Sequence, residues 1–322
     1  MGTVSVLIVN WNSRDYLKKC LYSIRETCSD LKPQIIVVDS GSYDGCADMV
    51  ADEFPEVEFV QSTQNIGFGR ANNLGFEYVK NEYLLLLNPD TELRKDSLEA
   101  LLFAIRREPS IGLVGPRLIN TDGSLQTSCV QALPTPLNQA IDSAFFRKLF
   151  PRSSLWGNYK AFYSAVPIEV EAVSGACMLM PAKVYGQLNG FDTRYFMYAE
   201  DMDLCARVRR LGLKIIHVPC AVVVHHGGGS SVSRPNSESV WTMRVSLEQF
   251  MRINLSRSSA ILYRLLQGLS ASIRLALLFA TMLLFYKKKD ADSASVTKWL
   301  SVLAYCFGFG PYRFASRKRR IP

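Results

Sequence analysis

The sequence has no CxxC pair, no internal repeat, no low-complexity tract and no long Pro/Gly/Ser linker. Its eight cysteines (Cys20, Cys28, Cys46, Cys129, Cys177, Cys205, Cys220, Cys306) are scattered singles. That pattern excludes a disulfide framework and a cysteine zinc site, and fits small buried hydrophobes in a reducing compartment. Without repeats or linkers, the chain is neither a solenoid nor a string of tethered modules. The N-terminus enters an apolar run at once (Val4 to Val9), with no basic n-region and no cleavable apolar core, so no signal peptide is expected. What is present is ample core material: 322 residues, 48% hydrophobic and 20% charged, enough for one large or two modest domains.

Charge is unevenly placed. The chain holds 37 Lys and Arg against 29 Asp and Glu, yet residues 251–322 hold 13 and 2 of these, leaving 24 and 27 for the rest. The whole positive excess therefore sits in the last fifth, which is also the most apolar part. Basic and apolar together point to an anionic membrane surface. A nucleic-acid arm would be basic without the runs Leu275–Phe279 and Met282–Tyr286, and residues 1–250 are net acidic, so nucleic acid is not an expected partner. The uncharged stretch Leu275–Tyr286 has 12 residues, about 18 Å as a helix against about 30 Å of hydrocarbon. Extending it back to Leu265 adds Arg274, at a cost of about 2.5–3.5 kcal/mol at mid-bilayer. Helices lying in the interface are favoured, with Lys287–Lys289 and Arg317–Arg320 on anionic lipid at about 1 kcal/mol per charge. A single spanning helix and a soluble helical cap that pairs with another subunit are the alternatives. The expected division is 1–250 for a catalytic-type domain and 251–322 for a basic, apolar, membrane-associating region.

Over the first 120 residues strand and helix patterns alternate. Strands are expected at Val4–Asn10, Gln34–Asp39, Val57–Gln61, Glu82–Asn88 and Ile111–Gly115. Helices are expected at Arg14–Thr27, Cys46–Phe54, Gly69–Lys80 and Ser97–Arg107. Apolar strands alternating with helices predict an α/β fold with a mostly parallel, covered central sheet. From Pro116 to Ser164 the pattern weakens, and a long excursion is expected. Strands resume at Ile168–Val173 and Ala176–Met180. Helices follow at Ala182–Leu188 and Asp201–Leu211, then strands at Leu213–Val218 and Ala221–Val224. Residues 251–286 read as helical, with Arg264, Gln267 and Arg274 on one side.

The chemistry-bearing residues fall where these strands end. Asn88-Pro89-Asp90-Thr91 follows the run Tyr83–Leu87, at the carboxyl end of a buried strand, where open α/β sheets bind ligands. One carboxylate beside a neutral Asn suits a hard divalent cation that also takes diphosphate oxygens. The same residues would also make a helix-start turn. Asp39-Ser-Gly-Ser-Tyr-Asp44-Gly ends the second strand. Its Asp39 can accept from a nucleobase N–H or form an ordinary Asx turn. Asn65-Ile-Gly67-Phe-Gly69-Arg70-Ala-Asn72-Asn73 permits close backbone approach and sets Arg70 near a phosphate, or is a Gly-rich turn alone. Ser174-Gly175-Ala176-Cys177 opens an apolar strand with small residues that leave room for a ligand or simply pack closely.

Glu200 and Asp201 stand at a helix start, where the helix dipole favours carboxylates. One of them can act as general base, or both can merely cap the helix. Asp203 and Arg207 form an i,i+4 pair, surface or structural. His225-His226-Gly227 leaves a strand for a glycine loop, and one His can complete a metal site begun by Asp90. His217, between Ile216 and Val218, reads as structural.

In this order these pieces resemble the family 2 glycosyltransferases of the GT-A fold. The start Val-Asn10-Trp-Asn12 with Asn-x-Gly-Phe-Gly-x-Ala-Asn-Asn is similar to bacterial rhamnosyltransferase-type enzymes of polysaccharide assembly. The likeness covers roughly residues 3–232. It implies that Asn10, Asn12, Asp39, Asn65, Gly67, Arg70 and Asn88 surround the nucleotide-sugar. Asp90 stands at the DxD position as ligand of Mg²⁺ or Mn²⁺, with Asn88 replacing the first Asp, and His225 reaches the metal or diphosphate. Glu200 and Asp201 match the acidic pair, with Asp201 as base. The function so implied is an inverting transfer of a sugar from a nucleotide-diphosphate donor to a glycan or lipid-linked acceptor; with the basic, apolar tail, it is expected at the cytoplasmic face of the inner membrane, in a peripheral or monotopic protein.

Three rivals differ in class. A nucleotide-sugar-binding protein at the membrane would bind donor without turnover. A nucleic-acid-binding protein conflicts with the acidic residues 1–250. A nucleotidyltransferase would want a basic Gly-rich loop after the first strand, where Trp11-Asn12-Ser13-Arg14 stands instead.

Overall fold

The computed structural model describes residues 4–142, 144–150, 153, 155, 159–227, 237–284 and 289–310. The chain opens with β1 (Val4–Asn10), α1 (Arg14–Thr27), β2 (Gln34–Asp39), α2 (Cys46–Glu53), β3 (Glu58–Gln61), α3 (Phe68–Phe76), β4 (Tyr83–Leu87), β5 (Thr91–Leu93), α4 (Ser97–Ile105) and β6 (Ile111–Ile119). It continues through β7 (Val130–Gln131), α5 (Pro136–Ile141), α6 (Ala144–Leu149), α7 (Tyr159–Tyr163), β8 (Ile168–Glu169), β9 (Ala172–Val173), β10 (Cys177–Pro181), α8 (Ala182–Gln187), α9 (Glu200–Arg210) and β11 (Lys214–His225). The helices α10 (Ser237–Asn254), α11 (Arg257–Leu284) and α12 (Lys289–Cys306) follow. There are two compact units: Met1–Leu133, Arg152–Phe196 and Glu200–Val232 form one, and Pro134–Pro151, Met197–Ala199 and Ser233–Pro322 the other. Residue 250 thus falls inside α10, within the second unit.

The first unit is built on one mixed sheet, ordered β3-β2-β1-β4-β10-β6-β11-β5, with β8 on β11. Strands β3, β2, β1 and β4 are parallel to their neighbours in that block, and β6 is parallel to β11. β10 runs antiparallel between β4 and β6. Every residue of β1 and β4 is buried, as expected of strands covered on both faces. α1 buries Leu17, Cys20, Leu21 and Ile24 along one helical stripe. The chain steps from β1 to β2 and β3 on one side, then returns to β4 on the other side of β1. That reversal opens a crevice beyond the carboxyl ends of β1 and β4, and a ligand site is expected there.

Several boundaries depart from the sequence pattern. β6 carries Pro116 within it and runs to Ile119, so the irregular stretch starts later than expected. The stretch that follows has its own order: a 3₁₀ turn at Thr127–Cys129, and β7 paired with β9. Leu213–Val218 and Ala221–Val224 are one strand, β11, whose register slips between Val218 and Val222, where Pro219 offers no N–H to the ladder. His217 is fully buried there, and burial, then the charge of Arg117, pushes its pKa down to about 4. The pair Asp203–Arg207 is internal: Asp203 is fully buried, and Arg207 Nε donates to it at 2.7 Å.

In the second unit, α5 begins with a capping box at Thr135 and Asn138. Its last carbonyls find donors on α11: Gln267 Nε2 to Gln139 O (2.9 Å), Ser270 Oγ to Ala140 O (2.8 Å) and an Arg274 guanidinium N–H to Asp142 O (2.9 Å). Arg264 does the same for the end of α12, donating to Tyr305 O and Cys306 O. The one-sided polar residues of α11 are therefore caps for two neighbouring helix ends. α11 turns the opposite way with Ile261, Leu262, Leu265, Leu269, Ile273, Leu277 and Phe279, each about half exposed or more. Among the described residues one helix, Arg257–Met282, is long and apolar enough to cross a membrane by length and composition. Lys287, Lys288 and Arg317–Arg320 lie outside the described residues.

Candidate functional site

The carboxyl ends of β1 and β2 meet in register, Asn10 opposite Asp39. Both are fully buried. Asp39 accepts from Asn10 Nδ2 (2.9 Å), Ser42 Oγ (2.6 Å), Ser42 N (2.8 Å) and Gln61 Nε2 (2.7 Å). Burial alone would raise its pKa, but these donors outweigh it and hold the carboxyl below its ordinary value. Asp39 is thus the charged knot that orders this loop. Asn10 Oδ1 is left buried without a donor, an acceptor open to a ligand N–H. Asn12, at a left-handed φ of 48°, donates its N–H to Ser42 Oγ (2.8 Å) and accepts from Tyr43 N (3.1 Å).

Asn65 Oδ1 accepts from Gly67 N at 2.9 Å, closing an Asx turn before α3. Gly67 holds φ +81°, and a Cβ there would come within 2.9 Å of Phe196 O. The position needs glycine twice over, for conformation and for approach. Arg70 is exposed on the first turn of α3.

Beyond β4, Asn88 N donates to Ala176 O (2.9 Å), and Thr91 Oγ1 closes the turn on Asn88 O (2.7 Å). Asp90 is 7% exposed. Its backbone carbonyl accepts from His226 N (2.9 Å), and its Oδ1 lies 3.3 Å from His225 Nε2. His225 Nδ1 is 2.6 Å from Gln126 Oε1, a carbonyl that takes the Nδ1 proton. Nε2 then faces the Asp90 oxygen, and with a cation between them the two atoms would both serve as ligands. Among the described residues no group of three His, Cys, Asp or Glu could hold a metal. Two protein donors do fit an ion that keeps several waters and phosphate oxygens in its shell, as Mg²⁺ does. Next door, His226 Nε2 pairs with Glu92 Oε1 (2.7 Å) and its ring leans on Tyr16. Gln126, Ser42, Gln61 and Glu92 were not foreseen. Ser42 sits within the Asp39–Gly45 motif, where the pattern gives it no role, whereas Gln126, Gln61 and Glu92 lie outside the motifs and the fold brings them to the site.

Glu200 and Asp201 open α9, just after Tyr198 and Ala199, whose φ values are 71° and 63°. Two successive non-glycine residues in that region carry strain, which concentrates at working sites. Asp201 is partly exposed and accepts from Gly175 N (2.9 Å) and Met202 N (2.8 Å). Glu200 is 8% exposed, and its Oε2 has no partner. Burial raises both pKa values. It lifts Glu200 to about 8, with the Asp201 charge adding to it, while the two N–H donors restrain Asp201. The pair therefore holds a proton more tightly than two ordinary carboxyls would, and the two N–H groups on Asp201 favour the charged form there over Glu200. Asp201 rests on Gly175, and Asn88 on Ala176, the next residue. The stretch Gly175-Ala176 so joins the acid pair to the Asn88–Asp90 turn.

A protein-family model described as glycosyl transferase family 2 matches residues 5–178. An N-acetylglucosaminyl-diphospho-decaprenol L-rhamnosyltransferase of Mycobacterium tuberculosis is 30% identical over 246 residues, covering 72% of this chain and 78% of that protein. The rhamnosyltransferase WbbL of Escherichia coli is 24% identical over 259 residues, covering 77% of this chain and 93% of WbbL. Among solved structures, the mannosyltransferase PcManGT from Pyrobaculum calidifontis, in complex with GDP-Man and Mn²⁺, superposes with a TM-score of 0.58 at 18% identity, over 95% of this chain and 86% of that one. At that identity the likeness shows the fold, a GT-A arrangement, and the sequence matches speak to family.

Proposed function

The chain belongs to glycosyl transferase family 2 and is a glycosyltransferase, and we propose that it inverts the anomeric centre as it moves a sugar from a nucleoside-diphosphate donor to a hydroxyl of a lipid-linked saccharide. The relatives named for rhamnose transfer make L-rhamnose the favoured sugar and polysaccharide assembly the favoured setting. Asp201 is the base. It takes the proton of the acceptor hydroxyl as that oxygen bonds to C1, while the bond from C1 to the diphosphate oxygen breaks and the nucleoside diphosphate leaves. Glu200, still protonated, spares Asp201 a second buried charge and completes the pair. Asn10, with its open Oδ1, Asn12, Asp39, Asn65, Gly67 and Asn88 line the donor pocket, and Arg70 faces the diphosphate. Asp90 and His225 would hold Mg²⁺ or Mn²⁺, which would supply positive charge against the leaving diphosphate.

The observation that carries this reading is the split of the acid pair. Asp201 accepts two N–H groups, which favour its charged form, beside Glu200, whose buried Oε2 has no partner and whose proton burial favours. Asp201→Asn should lower nucleotide release by about a hundred- to ten-thousand-fold while donor still binds. A rate near that of wild type would refute the base assignment.

We also place the protein at the cytoplasmic face of the plasma membrane, peripheral or monotopic. The outward apolar stripe of α11 supports this, and so does the excess of basic residues in 251–322. The inner stripe of α11 is occupied by caps to α5 and α12, so an in-plane helix fits better than a spanning one.

A further inference from the structure

The second unit gathers positive charge from three helices. Val240 of α10, Ala271 of α11 and Val302 of α12 make its small core, with Trp299 packed against it. One helical turn from these residues stand Arg244, Arg274 and Lys298. The Arg274 guanidinium lies 4.4 Å from the centre of the Trp299 ring, and Lys298 Nζ lies 5.2 Å from the same ring. Close packing, then the charge of Arg244, lowers the pKa of Arg274. Lys298 is lowered by packing, then by Arg244 and Arg274. The three cations therefore feel one another.

The nearby acids are committed elsewhere. The Asp142 carboxylate opposes this repulsion but is gripped by Arg147 at 2.6 and 3.1 Å. Glu248 accepts from Tyr305 OH (2.5 Å) and Arg252 (3.0 Å). Arg244 Nε is buried without a partner, and the hydroxyl of Tyr263, a residue with no exposed surface, makes no hydrogen bond of good geometry but faces the Arg244 guanidinium, whose charge favours its ionised form. Like charges brought together beside an unfilled donor are costly, and an anion with several acceptor oxygens relieves both costs. Guanidinium groups match a phosphate in geometry as well as charge.

We propose that Arg244, Tyr263, Arg274 and Lys298 form a phosphate-binding site in the three-helix unit, made of none of the residues assigned to the donor. Its ligand is a phosphate or diphosphate group, carried by a lipid headgroup or free in solution. The proposal stands whether or not Asp201 proves to be the base.

The test uses the full chain and the variants Arg244→Gln and Lys298→Gln. Melting is followed with inorganic phosphate, with pyrophosphate, and with chloride at matched ionic strength. Binding is followed with phosphatidylglycerol and with phosphatidylcholine vesicles. In chloride, both variants should melt no lower than wild type, because each removes a repelled charge. Wild type should be stabilised by phosphate or pyrophosphate beyond chloride if the source is free phosphate, or bind phosphatidylglycerol selectively if it is a headgroup. Either response should need about tenfold more ligand in the variants, the loss of one charge-assisted hydrogen bond. Nucleoside-diphosphate binding should be unchanged in them, which separates this site from the donor pocket. The proposal is overturned if the variants melt lower in chloride and keep the full phosphate or vesicle response. It is equally overturned if wild type shows neither response.

Discussion

Replacing Glu200 by Gln tests the division of labour in the acid pair, because the amide imitates the protonated carboxyl and cannot lose a proton. In the folded wild type, Glu200 holds its proton up to about pH 8, against 4.5 for an ordinary glutamate. Between those two values the unfolded chain releases a proton that the folded chain keeps, so folded stability falls as pH rises, and it levels off above the folded value. Below 4.5 both states are protonated and the penalty vanishes. Each unit of displacement is worth about 1.36 kcal/mol. The full excursion therefore amounts to a few kcal/mol, shared between two coupled acids. Glu200→Gln should match wild type in melting temperature near pH 4.5 and exceed it by several degrees at pH 8.5. Turnover should stay within about tenfold of wild type, far above the loss expected for Asp201→Asn. Parallel pH–melting curves for Glu200→Gln and wild type would show that the stored proton is not on Glu200, and the argument for Asp201 as the charged partner would fall with it.

Gln126→Leu removes the acceptor that fixes the His225 tautomer, and should weaken Mn²⁺ affinity, read by titration calorimetry, about ten- to a hundredfold. Unchanged affinity would remove His225 from the metal site. Asp203→Ala leaves Arg207 without its fully buried partner, and should cost about 3–5 kcal/mol in denaturant unfolding with no change in donor specificity. The double change Leu269→Asp with Ile273→Asp falls on the outward stripe of α11. It should leave the melting temperature within a few degrees of wild type but abolish co-sedimentation with anionic vesicles. Retained co-sedimentation would move the membrane face elsewhere.

Local pattern carried the regular elements of the first unit. α1 and β2 occur where the 3.6-residue and β-branched patterns place them, because their burial depends on residues within the element. Other features depend on partners far away in sequence. Pro116 inside β6 looks like a strand breaker until the neighbouring β11 is seen to slip its register at Pro219. Arg264, Gln267 and Arg274 stand on one side of a helix in sequence, but their use as caps requires α5 and α12 to be in place. Gln126 has no motif around it, and reaches His225 only because the strand end at Ile119 turns back through Leu125.

The direction of β10 explains how Asp201 is linked to the Asn88–Asp90 turn. In a wholly parallel sheet only the last residues of a strand reach the ligand end, and Ser174-Gly175-Ala176, which precede their strand, would lie at the opposite edge. β10 instead runs antiparallel to β4, pairing Cys177 with Leu87 and Pro181 with Tyr83. Its beginning therefore sits beside the end of β4, where Asn88 N donates to Ala176 O. The smallness of residue 175 then has a purpose that spacing alone could not show. A Cβ on Gly175 would meet the Asp201 side chain at 3.0 Å, so a larger residue would press on the carboxyl that accepts from the Gly175 N–H. One antiparallel strand thus links Asp201, more than a hundred residues along the chain from Asp90, to Asn88 through the hydrogen bonds of Gly175 and Ala176.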